Sequence, residues 1–205
     1  VAETTPENRM VGYPYTKRMV SNPDVDMSAG FIMCSAAKAH ELGVPKDRWI
    51  FAHAGTDGVD RFPSNRSSFT TSASMRVAGR RVLELAGRTI DDIDLLDVYS
   101  CFPSAIEIAS KEIGIPLDRP LTVYGGLCFA GGPWNNPVNH ALAAMWDRLT
   151  SGDETTGLVT SNGGNVGKHG FVVLSSEPPD HGFKWEHPQA EIDAEPEVGV
   201  DADYE

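Results

Sequence analysis

The chain lacks the sequence features of a membrane, secreted or metal-binding protein. Its 205 residues contain no apolar run near the roughly 18 residues that a membrane span needs. The start, VAETTPENR, has neither the basic region nor the apolar core of a signal peptide. The three cysteines, Cys34, Cys101 and Cys128, have no C-x-x-C spacing, and the histidines have no i, i+4 spacing. These absences predict a cytoplasmic protein with no membrane span and no metal site.

Basic charge is also scarce, with 17 Lys and Arg against 29 Asp and Glu. Ten of the acidic residues lie in 177–205 beside a single lysine, so the body of the chain is close to neutral. Neither region has the basic patch of a nucleic-acid-binding protein, and no nucleic-acid partner is predicted. Residues 177–205 are rich in Pro and acidic residues, which predicts a linker or tail. Phe183, Trp185 and Ile192 leave open that it packs on the body.

Helices and strands are predicted to alternate along the rest of the chain. After an extended arm over 1–27 and a helix over 27–42, the predicted order is β-α-β-α-β-α-β-β. The strands are expected at 49–54, 94–99, 121–124, 157–160 and 171–175, and the helices at 74–86, 103–113 and 138–149. A long polar loop is expected over 55–72. The alternation predicts a layered α/β domain.

Three clusters of small residues follow predicted strands, at 99–103, 125–137 and 161–169. Loops at strand ends are where open α/β sheets bind ligands, so the three clusters are candidates for one shared site. The glycine spacing matches neither the dinucleotide fingerprint nor a phosphate-binding P-loop. A tight turn beside packed backbone is the alternative explanation for each glycine pair. Among the histidines, His169 is favoured for contact with a substrate because it follows glycine-rich backbone beside Lys168.

The three clusters resemble, in order and spacing, the motifs in the C-terminal half of the thiolase superfamily. That half carries a strand ending in N-E-A-F or H-D-C-F, then N-x-x-G-G-x-x-x-x-G-H-P, then C-x-G-G-G-x-G. The chain has YSCF at 99–102, GGLCFAGGP at 125–133 and SNGGNVG at 161–167. The stretch SNPDVDMSAGF from residue 21 is similar to the segment that lines the pantetheine channel of coenzyme A. Together these matches cover about residues 8–176.

The resemblance implies a thiolase-like half with a mixed five-stranded sheet, two helices on one face and one helix on the other. It implies three domains or parts: 1–45 as the end of the N-terminal half, 46–176 as the C-terminal domain, and 177–205 as the acidic linker or tail. The rest of the N-terminal half would be a partner of this chain. The residues of the motifs are most similar to those of actinobacterial thiolase-like proteins of the acetyl-CoA acetyltransferase or lipid-transfer-protein type. Some of those carry a further C-terminal domain after an acidic linker, so such a domain stays open here.

The resemblance also implies a set of site residues for an acyl-CoA substrate, with no tightly bound cofactor. Tyr99, Ser161 and His169 are the candidate catalytic residues. Ser21 and Asn22 are the candidates for the coenzyme A channel. The candidates for contact with the rest of the substrate are Gly125, Gly126, Gly131, Gly132, Pro133, Asn162, Gly163 and Gly164.

The chain departs from the family at the residues that carry the chemistry. The Asn or His of the first motif is Tyr99, the His of the second is Gly132, and the Cys of the third is Ser161, ambiguous with Asn162 by one residue. Glycine has no side chain for an oxyanion, although backbone N–H groups can serve. An unassisted serine is a poor base. In the family, the nucleophilic cysteine belongs to the N-terminal half, so Cys101 and Cys128 are interpreted as core residues.

Three functions stay open for the full-length protein. The first is an acyl-CoA-binding acyltransferase of the acetyl-CoA C-acetyltransferase class with altered acid-base residues. The second is a retro-aldol carbon–carbon lyase acting on a steroid-like CoA thioester, with Tyr99 or Tyr124 as the proton acceptor. The third is a CoA-ester-binding protein without catalysis. This chain alone is expected to be inactive.

Overall fold

The computed structural model describes residues 2–66 and 68–194. The strands are β1 (Met10–Gly12), β2 (Tyr15–Thr16), β3 (Phe51–Val59), β4 (Leu95–Asp97), β5 (Thr156–Gly163), β6 (Lys168–Ser175) and β7 (Lys184–Glu186). The α-helices are α1 (Ala36–Glu41), α2 (Ala73–Ala86), α3 (Pro103–Ile113), α4 (Gly126–Phe129), α5 (Pro137–Ser151) and α6 (Gln189–Ala194).

The three long helices begin and end at residues that suit helix termini. At the start of α2, the Ser72 hydroxyl accepts a hydrogen bond from the Met75 N–H group, and the helix ends at Gly87 with a φ of 66°. Helix α3 begins at Pro103 and ends at Gly114, which also has a positive φ. Helix α5 begins at Pro137. Proline suits the first turn because its nitrogen has no hydrogen to satisfy.

A mixed five-stranded sheet forms the centre of the domain, in the order β4-β5-β6-β3-β7. Strands β5 and β6 form an antiparallel hairpin, and β6 also pairs antiparallel with β3. The two outer pairs, β4 with β5 and β3 with β7, are parallel. The structure confirms the prediction of a mixed, five-stranded α/β layer.

Each face of the sheet is covered by its own apolar core. Helices α2 and α3 cover one face, where Ala78, Val82, Leu158 and Val173 are almost fully buried. Helix α5 covers part of the other face, where Met145 packs against Gly157 and the Val159 side chain. Side chains alternate between the two faces along each strand, so a residue's position in β5 or β6 decides which core or cavity it reaches. Two helices on one face and one on the other is the predicted arrangement.

The predicted helix over 27–42 is wrong over most of its length. Only Ala36–Glu41 is helical, and residues 27–35 are extended and irregular. The Ser35 hydroxyl accepts a hydrogen bond from the Lys38 N–H group and so sets the start of the helix. The polar loop predicted over 55–72 begins later than expected, because β3 continues to Val59.

The predicted strand over 121–124 is not a strand, because its polar groups bond mainly to one side chain. The Asp97 carboxylate accepts hydrogen bonds from the Val123 N–H group at 3.1 Å and the Thr122 hydroxyl at 2.9 Å. One backbone hydrogen bond, from the Val98 N–H group to the Leu121 carbonyl, joins this segment to the residue that follows β4. Burial raises the pKa of Asp97 to about 6, although these hydrogen bonds oppose the shift.

The fifth strand comes instead from the segment predicted to be a linker. Strand β7 extends the sheet beside β3, and the Gln189 side chain both accepts from and donates to the backbone of Val59. Ile192 is buried against the sheet at Gly58. Arg81 of α2 forms ion pairs with Glu186 and Glu191. The rest of the predicted tail, residues 195–205, lies outside the described residues.

Shortening Ile192 should loosen this C-terminal segment. Ile192→Ala removes a buried aliphatic side chain that keeps α6 on the sheet, which costs about 2 kcal/mol for a substitution of this kind. We expect amide hydrogen exchange at residues 184–186 to become about 30-fold faster, since 1.4 kcal/mol corresponds to a tenfold change. Leu117→Ala, at a residue that is 60% exposed, is the matched control and should leave these rates unchanged. Equal rates in both variants would show that α6 does not retain β7.

The Asp97 carboxyl should make stability depend on pH. Because its pKa is raised in the folded protein, it contributes stability that is present below about pH 4 and is lost as pH rises through about 6. Asp97→Asn removes this titration and keeps an acceptor for both hydrogen bonds. In urea unfolding, the free energy of unfolding of the unchanged protein should fall by up to about 3 kcal/mol relative to that of Asp97→Asn between pH 4 and 7. A difference that does not vary with pH would contradict the raised pKa.

Candidate functional site

The turn after β4 is the point at which the three predicted motifs meet. The Ser100 hydroxyl accepts a hydrogen bond from the Leu127 N–H group at 2.9 Å, which joins the first motif to the glycine run. The Asn162 side-chain amide donates to Cys101 Sγ at 3.6 Å, which joins the first motif to the third. The Tyr99 N–H group donates to the Thr160 hydroxyl at 2.9 Å. The prediction that three strand-end clusters converge is thus reproduced in the backbone and side-chain contacts.

The first glycine pair allows a sharp turn into α4. Gly125 and Gly126 have φ angles of 102° and 74°, a region that side-chain-bearing residues rarely adopt. A Cβ atom on Gly126 would lie 2.6 Å from Ser100 Oγ. Gly126 is therefore required for the contact between the first two motifs, whereas Gly125 is exposed.

The second glycine pair packs against the N-terminal arm of the chain. Asn22 donates its N–H to the Leu127 carbonyl at 3.1 Å and accepts from the Gly132 N–H group at 2.8 Å, while the Ser21 N–H group donates to the Cys101 carbonyl at 3.0 Å. A Cβ on Gly131 would lie 2.7 Å from Val25, and one on Gly132 would collide with the Ser21 hydroxyl. Ser21 and Asn22, the predicted channel residues, therefore lie directly on the glycine run.

This contact explains the missing side chain at Gly132 and limits what its backbone can do. Any larger residue there, including the histidine of the family motif, would need Ser21 to move. The Gly132 N–H group already donates to Asn22, so it does not serve as an oxyanion donor in this arrangement. Pro133 follows as a partly buried residue, and Trp134 after it is 81% exposed with a φ of 51°.

The third motif divides its residues between the two faces of the sheet. Ser161 lies on the α5 face, and its hydroxyl donates to the Gly170 carbonyl at 3.3 Å. Asn162 points to the α2–α3 face, where it reaches Cys101. Gly163 ends β5, and Gly164 continues the hairpin turn with a φ of 58°. The two glycines are exposed.

His169 lies on the face opposite to Ser161. It pairs with Asn162 across the hairpin, its side chain is fully buried, and its Nε2 atom is 3.5 Å from the Asp60 carboxylate. The structure thus brings Tyr99 near the junction of the motifs, places Ser161 on the α5 face, and separates His169 from Ser161 by the thickness of the sheet. Asp60, Ser100 and Cys101 are polar members of this region that the motif comparison did not select.

Burial keeps the acidic side chains of the first motif in their neutral forms. It raises the pKa of Tyr99, and the neighbouring Cys101 adds to the shift. Burial also raises the pKa of Cys101, although backbone N–H groups and Asn162 oppose it. The pKa of Tyr124 is raised by burial, Asp97, Tyr99 and Cys128. At neutral pH these phenols and the Cys101 thiol are therefore protonated and unsuited to act as bases or nucleophiles.

A cavity of about 290 Å³ opens on the α5 face beside Ser161. Gly55 and Gly170 form part of its floor, Val138 of α5 lines it, and Phe183 and Trp185 line it from the C-terminal segment. Because β7 was not expected, the helix and strand pattern did not predict that these aromatic residues would approach the third motif. The available signal was the presence of two large aromatic residues in a segment that begins with acidic residues and prolines.

Residues 2–66 and 68–194 lack two further kinds of feature. This part of the chain contains no group of three or more His, Cys, Asp or Glu side chains placed to hold a metal ion. It also contains no helix that is both long and apolar enough to cross a membrane.

Comparisons with known proteins agree with the motifs. The acetyl-CoA acetyltransferase of Syntrophomonas wolfei is 30% identical over 144 residues, 69% of this chain and 34% of the relative. The acetyl-CoA acetyltransferase of Pseudomonas aeruginosa is 29% identical over 135 residues, 66% of this chain and 32% of the relative. The chain thus spans about a third of the length of these curated relatives. No family model matches it.

The fold has a solved counterpart in a monomeric SCP2-thiolase-like protein type 1 from Mycobacterium smegmatis. The two structures superpose with a TM-score of 0.82 at 30% sequence identity, over 97% of this chain and 44% of the other. The mixed sheet, the three motifs in order and these two kinds of likeness lead to one conclusion: the chain belongs to the thiolase superfamily.

Proposed function

We propose that the full-length protein binds an acyl-CoA thioester and transfers its acyl group, as an enzyme of the acetyl-CoA C-acetyltransferase class. The observation that supports this proposal is the junction of all three motifs with Ser21 and Asn22 through direct hydrogen bonds. The two curated relatives are named for the same activity. Coenzyme A enters as part of the substrate, and the Ser21–Asn22 arm is proposed to line its channel.

Tyr99 is proposed to donate a hydrogen bond to the thioester oxygen. The family uses an Asn or His at this position and a His at the position of Gly132. Here the Gly132 N–H group is bonded to Asn22, so a donor has to come from elsewhere. The raised pKa of Tyr99 keeps its phenol protonated at neutral pH. A neutral donor aimed at an oxygen that gains negative charge stabilises the transition state.

Ser161 is proposed to contact the acyl group from the α5 face. Its hydroxyl lines the cavity, and its hydrogen bond to the Gly170 carbonyl is long enough to be exchanged for one to a substrate. Without a base beside it, a serine hydroxyl binds and orients a carbonyl better than it moves a proton. Ser161 therefore acts as a binding residue in this proposal.

The nucleophile is proposed to come from a part of the enzyme that this chain does not span. Cys101 is unsuited to that role because burial raises the pKa of its thiol, although the hydrogen bond from Asn162 opposes the shift. Only a thiolate attacks a thioester efficiently. In the family the nucleophilic cysteine belongs to the N-terminal half, and the relatives are about three times as long as the matched region.

The proposal is tested by thiolysis of acetoacetyl-CoA with free CoA, followed through the loss of enolate absorbance. The full-length protein should turn over at about 1 s⁻¹ or faster, the lower end of ordinary enzyme rates. Isothermal titration with the same thioester supplies the affinity. Tight binding without turnover would contradict the acyltransferase and would indicate a CoA-ester-binding protein.

Removing the Tyr99 hydroxyl should slow turnover without weakening the fold. Tyr99→Phe is expected to lower kcat about 100-fold, the usual cost of losing one oxyanion donor. The KM value and the melting temperature should change little, because the ring remains in place. Tyr13→Phe, at a residue that is 92% exposed, is the matched control. An unchanged kcat in Tyr99→Phe would remove Tyr99 from the mechanism.

A further inference from the structure

A line of buried and half-buried polar groups crosses the α2–α3 face of the sheet and ends at the first motif. It consists of Asp60 after β3, His169 on β6, Asn162 on β5 and Cys101 before α3. Each of these residues belongs to a different element. The line therefore connects the far end of the central hairpin to the loop that carries Tyr99.

The outer end of the line is fixed by a strongly bonded carboxylate. Asp60 accepts hydrogen bonds from the Ser72 hydroxyl at 2.6 Å, the Ser74 hydroxyl at 2.8 Å and the Ser74 N–H group at 2.9 Å. Burial alone would raise the pKa of Asp60, but these bonds and His169 hold it well below its usual range. The carboxylate is thus ionised, and it attracts the imidazole Nε2 atom 3.5 Å away.

The middle of the line contains polar atoms that need partners. His169 and Asn162 are directly opposite in the β5–β6 ladder, so their side chains are neighbours on the same face. His169 Nδ1 and Asn162 Oδ1 are both buried, and neither has a hydrogen-bond partner within the described part of the chain; His169 Nε2 is also buried and lies near Asp60 without a well-formed hydrogen bond. Leaving such atoms unpaired in the protein interior destabilises the fold. A bound water between Nδ1 and Oδ1 would satisfy both.

The inner end of the line is the bond from Asn162 Nδ2 to Cys101 Sγ. The Asn162 amide can donate through Nδ2 to Cys101 only while Oδ1 points away from the sulfur. Whatever binds Oδ1 thus fixes the orientation of the amide. The Cys101 carbonyl in turn accepts from Ser21, so the loop at this point also carries the arm.

We propose that His169 is a positioning residue. Anchored by Asp60, it fixes the Asn162 amide through one water held between Nδ1 and Oδ1, and Asn162 then fixes the Cys101 thiol and the loop that carries Tyr99. His169 acts from the back of the sheet and does not touch the substrate. The inference rests on the proposed function in one respect, which is that the loop carrying Tyr99 matters for acyl transfer. The contacts themselves are independent of any activity.

The test measures the pH dependence of Cys101 alkylation by iodoacetamide in the full-length protein, with peptide mass spectrometry resolving each cysteine. A change in access scales the plateau rate, whereas loss of a donor to the sulfur moves the midpoint. Asn162→Leu should raise the Cys101 midpoint by about half a pH unit or more, since it removes a donor that favours the thiolate. His169→Phe should raise it equally. The exposed Cys34 and Cys128 are internal controls.

The double variant decides between positioning and simple packing. If His169 acts through Asn162, Asn162→Leu combined with His169→Phe shifts the midpoint no further than either change alone. His169→Gln, which keeps a polar group near the water, should restore a midpoint close to that of the unchanged protein. Tyr99, whose pKa the neighbouring Cys101 helps to raise, is the same in every variant.

Additive shifts, or an unchanged midpoint in His169→Phe, would overturn the proposal. Should His169→Phe not fold, His169→Leu replaces it in the same cycle. A high-resolution crystal structure of the unchanged protein gives a second measurement. It should show one water within hydrogen-bond distance of both atoms, and its absence would disprove the bridge. Neither measurement requires turnover, so failure of the acyltransferase assay would leave both tests intact.

Discussion

The close approach of the N-terminal arm to the glycine run is the contact on which the site depends. Asn22 uses its backbone N–H and C=O groups on Leu127 and Gly132, and Ser21 reaches the turn after β4. A Cβ atom on Gly131 would clash with Val25 and one on Gly132 with Ser21, so this packing requires glycine at both positions. The glycines that first indicate a ligand-binding loop therefore serve, on their buried side, the chain's own arm.

This contact also explains why the motif can lose its histidine without losing its shape. The space that a side chain at 132 would need is taken by Ser21, and the 132 N–H group is used by Asn22. Any chemistry at this junction has to use other donors. Tyr99 is suited to that role because burial keeps its phenol protonated. The departure from the family pattern thus concerns the side chains at the junction, while the backbone contacts that shape it are present.

Much of the fold could be predicted because the signals were local. Capping by Ser72, Gly87, Pro103 and Gly114 set the ends of two helices, and short apolar runs located the inner strands. The failures have non-local causes. The 121–124 segment has strand-like residues, but the buried Asp97 carboxylate, distant in sequence, takes its polar groups. Strand β7 forms because β3 offers an open edge and Arg81 attracts Glu186 and Glu191, none of which appears as periodicity.

The candidate site was predictable as a set of loops, whereas the direction of each side chain was not. Neighbouring residues of β5 point to opposite faces of the sheet. Whether Ser161 or Asn162 matches the cysteine of the family motif therefore determines which face carries that position. The structure gives Ser161 the cavity and Asn162 the buried contact with Cys101. His169, paired with Asn162, follows it to the buried face. One face of the hairpin is thereby available to a substrate, and the other is left to hold the first motif in place.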